Sequence, residues 1–143
     1  MQPATGNDIE AVRKAFEGIV AFSQNLSGWA LLIAGGSIVT IVGTSYYRPR
    51  KAWARLIYLI FAPGWGLLGR SMYFGVQVQR SNLGYLFSKP GIDLAKYKSA
   101  INDDALNQIV AFQHAMYCFG AWLILYLVWW LFDDISAEHG GKR

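Results

Sequence analysis

The sequence predicts an all-helical integral membrane protein with three transmembrane helices and an N-terminal amphipathic helix. Two observations lead to this prediction. The composition, 54% hydrophobic and 15% aromatic, is too apolar for an ordinary soluble domain of 143 residues. The charged residues fall in short groups between long uncharged stretches. The length predicts a single membrane domain, residues 1–143.

Residues 8–22 have the pattern of an amphipathic helix. Apolar residues such as Val12 and Phe16 recur at spacings of three and four, and charged residues such as Arg13 and Glu17 take the opposite side. This segment either lies on the membrane surface, packs on the bundle, or continues directly into the first span. Its charges leave no cleavable signal peptide, so we expect the first span to act as an uncleaved signal.

The first span is predicted at residues 26–47. No charged residue lies between Gly18 and Tyr47, and this length suffices for about 30 Å of hydrocarbon. Within the span, Gly36, Thr40 and Gly43 form a stripe of small residues, a pattern that lets membrane helices approach closely. Packing within the chain and packing between copies both explain such a stripe.

The second span is predicted at residues 54–76. Pro63 removes one helical donor, so we expect a kink inside the span. Gly66, Gly69 and Arg70 share one helical face, where the glycines leave room for another backbone beside the guanidinium.

A polar connection is predicted at residues 77–101, and the third span at residues 105–132. Asn102 is the expected N-cap of the third helix, with Asp103 and Asp104 in its first turn, where negative charge suits the helix dipole. No charge interrupts the 28 residues of this span.

The orientation follows from the density of basic residues. Four Lys or Arg residues fall within residues 48–55, between two spans. Short, dense basic loops dominate the positive-inside rule, so this loop is predicted to be cytoplasmic. The protein is then multi-pass, with its N-terminus outside and its C-terminus in the cytoplasm.

Arg70 is the most unusual intramembrane residue, because a central arginine costs about 2.5 to 3.5 kcal/mol on insertion scales. It either forms an anion site, a gate or a lipid-headgroup contact, or it reaches the interface or pairs with Asp103 or Asp104 of the third helix. Matching depths along antiparallel helices predicts that it points toward the N-terminal half of that helix. The expected neighbours are Asp103, Asp104, Asn107 and Gln108.

His114 and Cys118 stand four residues apart on the third span and belong to a small and polar stripe that should face protein. A hydrogen bond between helices is the favoured role for His114. No metal site is expected, because the only other histidine, His139, lies near the C-terminus. Cys118 is the only cysteine, which excludes an intrachain disulfide.

The favoured function is that of a non-catalytic membrane protein that acts by assembly, as a homo-oligomer or as an accessory subunit of a membrane complex. No catalytic constellation or cofactor motif is found, so neither an enzyme nor a bound cofactor is expected. The expected partners are the lipid bilayer and a second copy or another membrane subunit, and scattered basic residues argue against nucleic acid. The main alternative is an oligomeric channel or transport component with Arg70 and His114 lining a polar path. A weaker one is an enzyme that uses His114 with Asp103 and Asp104.

Overall fold

The computed structural model describes residues 6–43, 56–87 and 94–140, and the secondary structure of these residues is entirely helical. Helix α1 is Gly6–Gly43, α2 is Phe61–Leu86 and α3 is Leu94–Gly140. A short 3-10 helix, Leu56–Ile60, leads directly into α2. The prediction of an all-helical fold is confirmed, and two of the three helices, α1 and α3, are long and apolar enough to cross a membrane. The basic loop at 48–55 lies outside the described residues.

Helix α1 is continuous over 38 residues. The predicted amphipathic segment at 8–22 therefore runs without a break into the predicted first span. Two ion pairs between charges four residues apart, Arg13 with Glu17 (2.9 Å) and Lys14 with Glu10 (3.2 Å), lie on the exposed side of its first half. The opposite side of this half packs against α2 and α3 through Phe16.

Helix α2 begins and ends later than the sequence pattern indicates. Pro63 lies in its first turn, where a missing backbone N–H costs little, so the 3-10 helix takes the place of the expected kink. The helix continues to Leu86, and α3 begins at Leu94, so the prediction of Asn102 as an N-cap is wrong: Asn102, Asp103 and Asp104 lie inside α3. The predicted polar connection at 77–101 is therefore largely helical in its described part. The physical reason is that Val78 and Ile101 within it bury apolar side chains against Phe16 of α1.

The buried residues of all three helices follow a heptad repeat. Those of α1 are seven residues apart: Phe16, Ser23, Ala30 and Ser37. Those of α3 include a matching series: Ile101, Gln108, Ala115 and Trp122. Those of α2 alternate between spacings of three and four: Phe61, Gly64, Leu68, Ser71, Gly75 and Val78. This period of 3.5 residues is typical of helices packed as a left-handed coiled coil.

The core is built in layers that also define the helix directions. One apolar layer contains Phe16, Val78 and Ile101, and another contains Ala30, Leu68 and Ala115. Residue numbers rise from the first layer to the second on α1 and α3 and fall on α2. Helix α2 is therefore antiparallel to α1 and α3, which are parallel to each other.

An aromatic cluster closes the core at the end far from Phe16. The ring of Phe61 lies 4.7 Å from that of Trp122 and 5.5 Å from that of Phe119, and Trp122 stacks on Tyr126 at 5.3 Å. At the same level the indole of Trp65 donates a hydrogen bond to Ser37 Oγ (2.8 Å). At this end of the bundle, α2 is held against α3 by contacts between aromatic rings and against α1 by the hydrogen bond from Trp65 to Ser37.

The outside of the bundle is apolar. In the most apolar 18-residue stretch of α1, as in that of α3, only 11% of the residues are buried. Leu32, for example, is 75% exposed. The core helix of a soluble protein buries its apolar residues, whereas these helices turn them outward, as expected for contact with lipid. The fold is that of a membrane-associated helical bundle.

Candidate functional site

A buried polar layer lies between the two apolar layers of the core. Its central side chain is Gln108, which has no exposed surface. The Gln108 amide Nε2 donates to the backbone carbonyl of Ser23 (3.0 Å) and to Ser27 Oγ (3.2 Å) on α1. From α2, Ser71 Oγ donates to the backbone carbonyl of Gln108 (3.1 Å). One glutamine thus connects all three helices.

The layer closes tightly around Gly75 of α2. A Cβ atom placed on Gly75 would lie 2.6 Å from Ser27 Oγ and 2.7 Å from Gln108 Nε2. Only glycine leaves room for the amide of Gln108 to reach α1 at this point. The Gln108 amide can take this position only because Gly75 has no side chain.

Two polar atoms of the layer have no hydrogen-bond partner within the described residues. They are Ser23 Oγ and the carbonyl oxygen Oε1 of Gln108, both buried. Burying polar atoms among apolar layers is costly unless they are hydrogen-bonded, so these two atoms make the layer less stable than it would be if they were paired. A single polar residue in an otherwise apolar heptad core is known to fix the register of packed helices. The layer is suited to that role, and it contains no nucleophile paired with a base.

Arg70 lies on the outside of α2. Its side chain is exposed, and its guanidinium lies over the ring of Phe74, 5.5 Å from the centroid. Within the described residues, neither Asp103 nor Asp104 forms an ion pair with it. Phe74 is one turn nearer the end of the bundle that carries Arg13 and Lys14.

The acidic turn of α3 is separate from the polar layer. Asp103 accepts a hydrogen bond from Ser99 Oγ (3.0 Å), and Asp104 is partly buried. Asn107 is exposed. Of the predicted neighbours of Arg70, only Gln108 faces the core, and it contacts Ser71 rather than Arg70.

His114 lies on the outside of the bundle. Its Nδ1 is 2.7 Å from the carbonyl oxygen of Val110 on the same helix, and the ring is edge-on to Tyr117. Cys118 is partly buried. Of the small and polar stripe expected to face protein, Ala111 is buried and Cys118 is partly buried, whereas His114 is exposed, because the heptad of α3 turns Ala111 and Ala115 inward. Among the described residues, no three His, Cys, Asp or Glu side chains lie together as a metal site.

The described glycines fall into two groups. Gly64, Gly75 and Gly84 touch another helix so closely that a Cβ would lie at 3.0 Å or less from a neighbouring side chain. A Cβ on Gly36, Gly43, Gly66 or Gly69 would have nothing within 4 Å. The predicted packing glycines therefore lie on outward faces of α1 and α2, and the chain uses other glycines for its own core.

The sequence reasoning did not identify Ser23, Ser71 or Gly75. The signal that would have found Ser23 is the spacing of seven shared by Phe16, Ser23, Ala30 and Ser37 along α1, and that for Ser71 and Gly75 is the alternation of three and four along α2. Comparison of the chain with protein-family models, curated proteins and solved structures gives no match.

Proposed function

We propose that this chain is a non-catalytic, multi-pass membrane protein that acts by assembly, either with copies of itself or as an accessory subunit of a membrane complex. In this proposal all three helices cross the bilayer, with the N-terminus outside and the C-terminus in the cytoplasm. The observation that carries the proposal is the outward-facing group of glycines on α1 and α2, which the packing of a single chain leaves unused.

The case for three spans rests on the layered core. Its buried residues extend from Phe16 to Ser37 on α1 and from Ile101 to Trp122 on α3. At 1.5 Å per residue each series covers about 32 Å, close to the thickness of the hydrocarbon region. Helix α2 packs along the whole of this length, from Val78 to Phe61, so a membrane crossed by α1 and α3 would also be crossed by α2.

The case for assembly rests on the shape of the outward faces. On α1, Thr40 donates its hydroxyl to the carbonyl of Gly36 (2.9 Å), so the stripe of Gly36, Thr40 and Gly43 presents little polar surface. Small residues give little contact with lipid but let a second helix approach to backbone distance. Such a face therefore forms more packing contacts with another protein helix than with lipid.

Helix α2 supplies a second argument. Gly66 and Gly69 lie beside the exposed Arg70, so a partner helix packed on them would reach the guanidinium. An arginine at membrane depth is stabilised by a polar partner or by headgroups. A neighbouring subunit at this face could provide such a partner, in addition to the contact with Phe74.

The experiment is a count of copies after the glycine faces are filled. Gly36→Leu and Gly43→Leu should lower the oligomer fraction at least threefold, measured by native mass spectrometry from mild detergent and by single-molecule photobleaching in vesicles. Two controls should leave the oligomer fraction unchanged. Ile38→Leu conserves volume on α1, and Gly120→Leu places the same leucine at an open glycine of α3, away from the glycine faces of α1 and α2. An unchanged copy number and unchanged co-purifying subunits in both glycine variants would refute assembly through this face.

A second candidate is an oligomeric channel or transport component. The observation in its favour is that Arg70 and His114 are both exposed on apolar stretches, whereas the inside of a single bundle is filled by side chains such as Leu68. A polar path would therefore run between copies. Under this alternative, Arg70→Ala should preserve folding and change ion selectivity in vesicles, and absence of ion flux from the assembled protein would rule it out.

A further inference from the structure

The parallel helices α1 and α3 leave a groove between them at the charged end of the bundle. Its outer part has a volume of about 670 Å³, with Ala15 and Ile19 on one wall and Ala95, Lys98 and Asn102 on the other. A continuation of about 350 Å³ runs past Phe22, Leu106 and Ile109. The two parts share Ala15, Ile19 and Asn102, so they form one groove.

We propose that this groove binds one membrane phospholipid, with an acyl chain along the apolar walls and the phosphate at Lys98. The inference rests on the chain being inserted in a membrane, and it does not depend on assembly. Failure of the glycine variants to change copy number would leave it standing.

The polarity of the groove changes along its length as that of a phospholipid does. Lys98, Ser99 and Asp103 line only the outer part, at the level where α1 carries Arg13 and Lys14, and Asn102 lies where the two parts meet. Apart from Asn102, the inner part is lined by apolar residues and Gly18. From Ala95 to Ile109 the groove is about 21 Å long, half of a bilayer with its headgroups.

Lys98 is placed to bind a phosphate. It is exposed, and within the described residues it forms no ion pair, whereas Arg13 and Lys14 are both paired with glutamates. Asn102 lies about one turn deeper, about 6 Å, where an amide N–H could donate to an ester carbonyl of the lipid. Asp103 also lines the groove, and its carboxylate accepts the hydrogen bond of Ser99 Oγ (3.0 Å).

The test uses phosphatidylglycerol with a photoreactive diazirine in one acyl chain, diluted into phosphatidylcholine vesicles that contain the full chain. After illumination, mass spectrometry should find adducts concentrated on residues 11–22 and 95–109. Lys98→Gln and Ala15→Leu should each reduce these adducts at least threefold. Lys96→Gln and Ala121→Leu are the matched controls, an exposed lysine and an exposed alanine outside the groove, and should leave them unchanged.

Two results would overturn the proposal. One is an even spread of adducts over the apolar exterior that neither Lys98→Gln nor Ala15→Leu alters. The other is a disulfide that forms, after mild oxidation, between two copies carrying Ala15→Cys in a Cys118→Ser background, which would assign the groove to a protein. Circular dichroism of each variant in the same vesicles checks that a loss of adducts does not come from unfolding.

Discussion

Gln108 is the residue on which the packing of the three helices converges. Its side chain has no exposed surface and donates to Ser23 and Ser27, while its backbone carbonyl accepts from Ser71. Removing it would therefore affect every pair of helices at once. The residue before it, Asn107, is exposed. Two adjacent amide side chains of α3 thus lie one in the core and one on the surface.

Gln108→Ala should destabilise the protein by about 2 to 4 kcal/mol, because two hydrogen bonds are lost and a cavity remains beside Gly75. Gln113→Ala is the matched control on the same helix, since Gln113 is exposed and its hydrogen bond to Tyr117 (2.6 Å) is local. That control should stay within about 0.5 kcal/mol of wild type. Denaturant unfolding in detergent micelles measures both, and similar small losses would show that the polar layer contributes little.

The sequence predicted the position of Arg70 along the bundle axis but not the direction in which its side chain faces. Matching antiparallel helices from the sequence places Arg70 at the level of residues 107–111, and Ser71 indeed lies opposite Gln108. The rotation of α2 about its own axis was missing from that argument. It is set by the heptad of α2, which turns Ser71 inward and Arg70 outward, and the glycines interrupt the apolar pattern that would have indicated it.

Arg70 and Asp104 should therefore behave independently. Arg70→Ala loses a cation–π contact of about 0.5 to 1 kcal/mol, and Asp104→Ala loses no ion pair with Arg70. Their effects on the free energy of unfolding should add within about 0.5 kcal/mol in a double-mutant cycle. A coupling above about 1 kcal/mol would mean that the two side chains meet in the membrane.

At the scale of whole helices, the sequence predicts which elements exist better than where they end. The long uncharged stretches of α1 and α3 identify both helices. The ends of α2 were harder to predict, because Arg80 is exposed and polar residues such as Gln77 and Gln79 are only partly buried, on a helix that still buries Val78. The polarity of a segment indicates how much of it meets solvent. The ends of a helix depend instead on which of its residues pack against other helices, and the heptad period is the pattern that shows those residues.

The heptad makes a prediction for α2. Leu68 is 2% exposed and packs in the layer of Ala30 and Ala115. Leu68→Ala should cost about 2 to 5 kcal/mol, since it removes buried apolar contacts and leaves a cavity in a packed layer. Leu83, 53% exposed on the same helix, gives the control. Thermal unfolding in micelles should separate the two variants clearly, and equal midpoints would contradict the layered core.

At the scale of the molecule, the apolar exterior is what the sequence predicted most directly. Two helices are long and apolar enough to cross a membrane, and their apolar residues are mostly unburied. Helix α2 carries Arg70 and several glycines, so its composition alone does not identify it as a span. Its assignment depends on its packing against α1 and α3 over their shared length.

The proposed arrangement of three spans is tested most directly by the sidedness of two connections. Single cysteines in place of Lys51 and Lys96, in a Cys118→Ser background, are treated with an impermeant maleimide in sealed vesicles of known orientation. Because α2 separates the two positions, three spans predict that they are labelled from opposite faces. Labelling of both from the same face would mean that α2 does not cross, and would contradict the account.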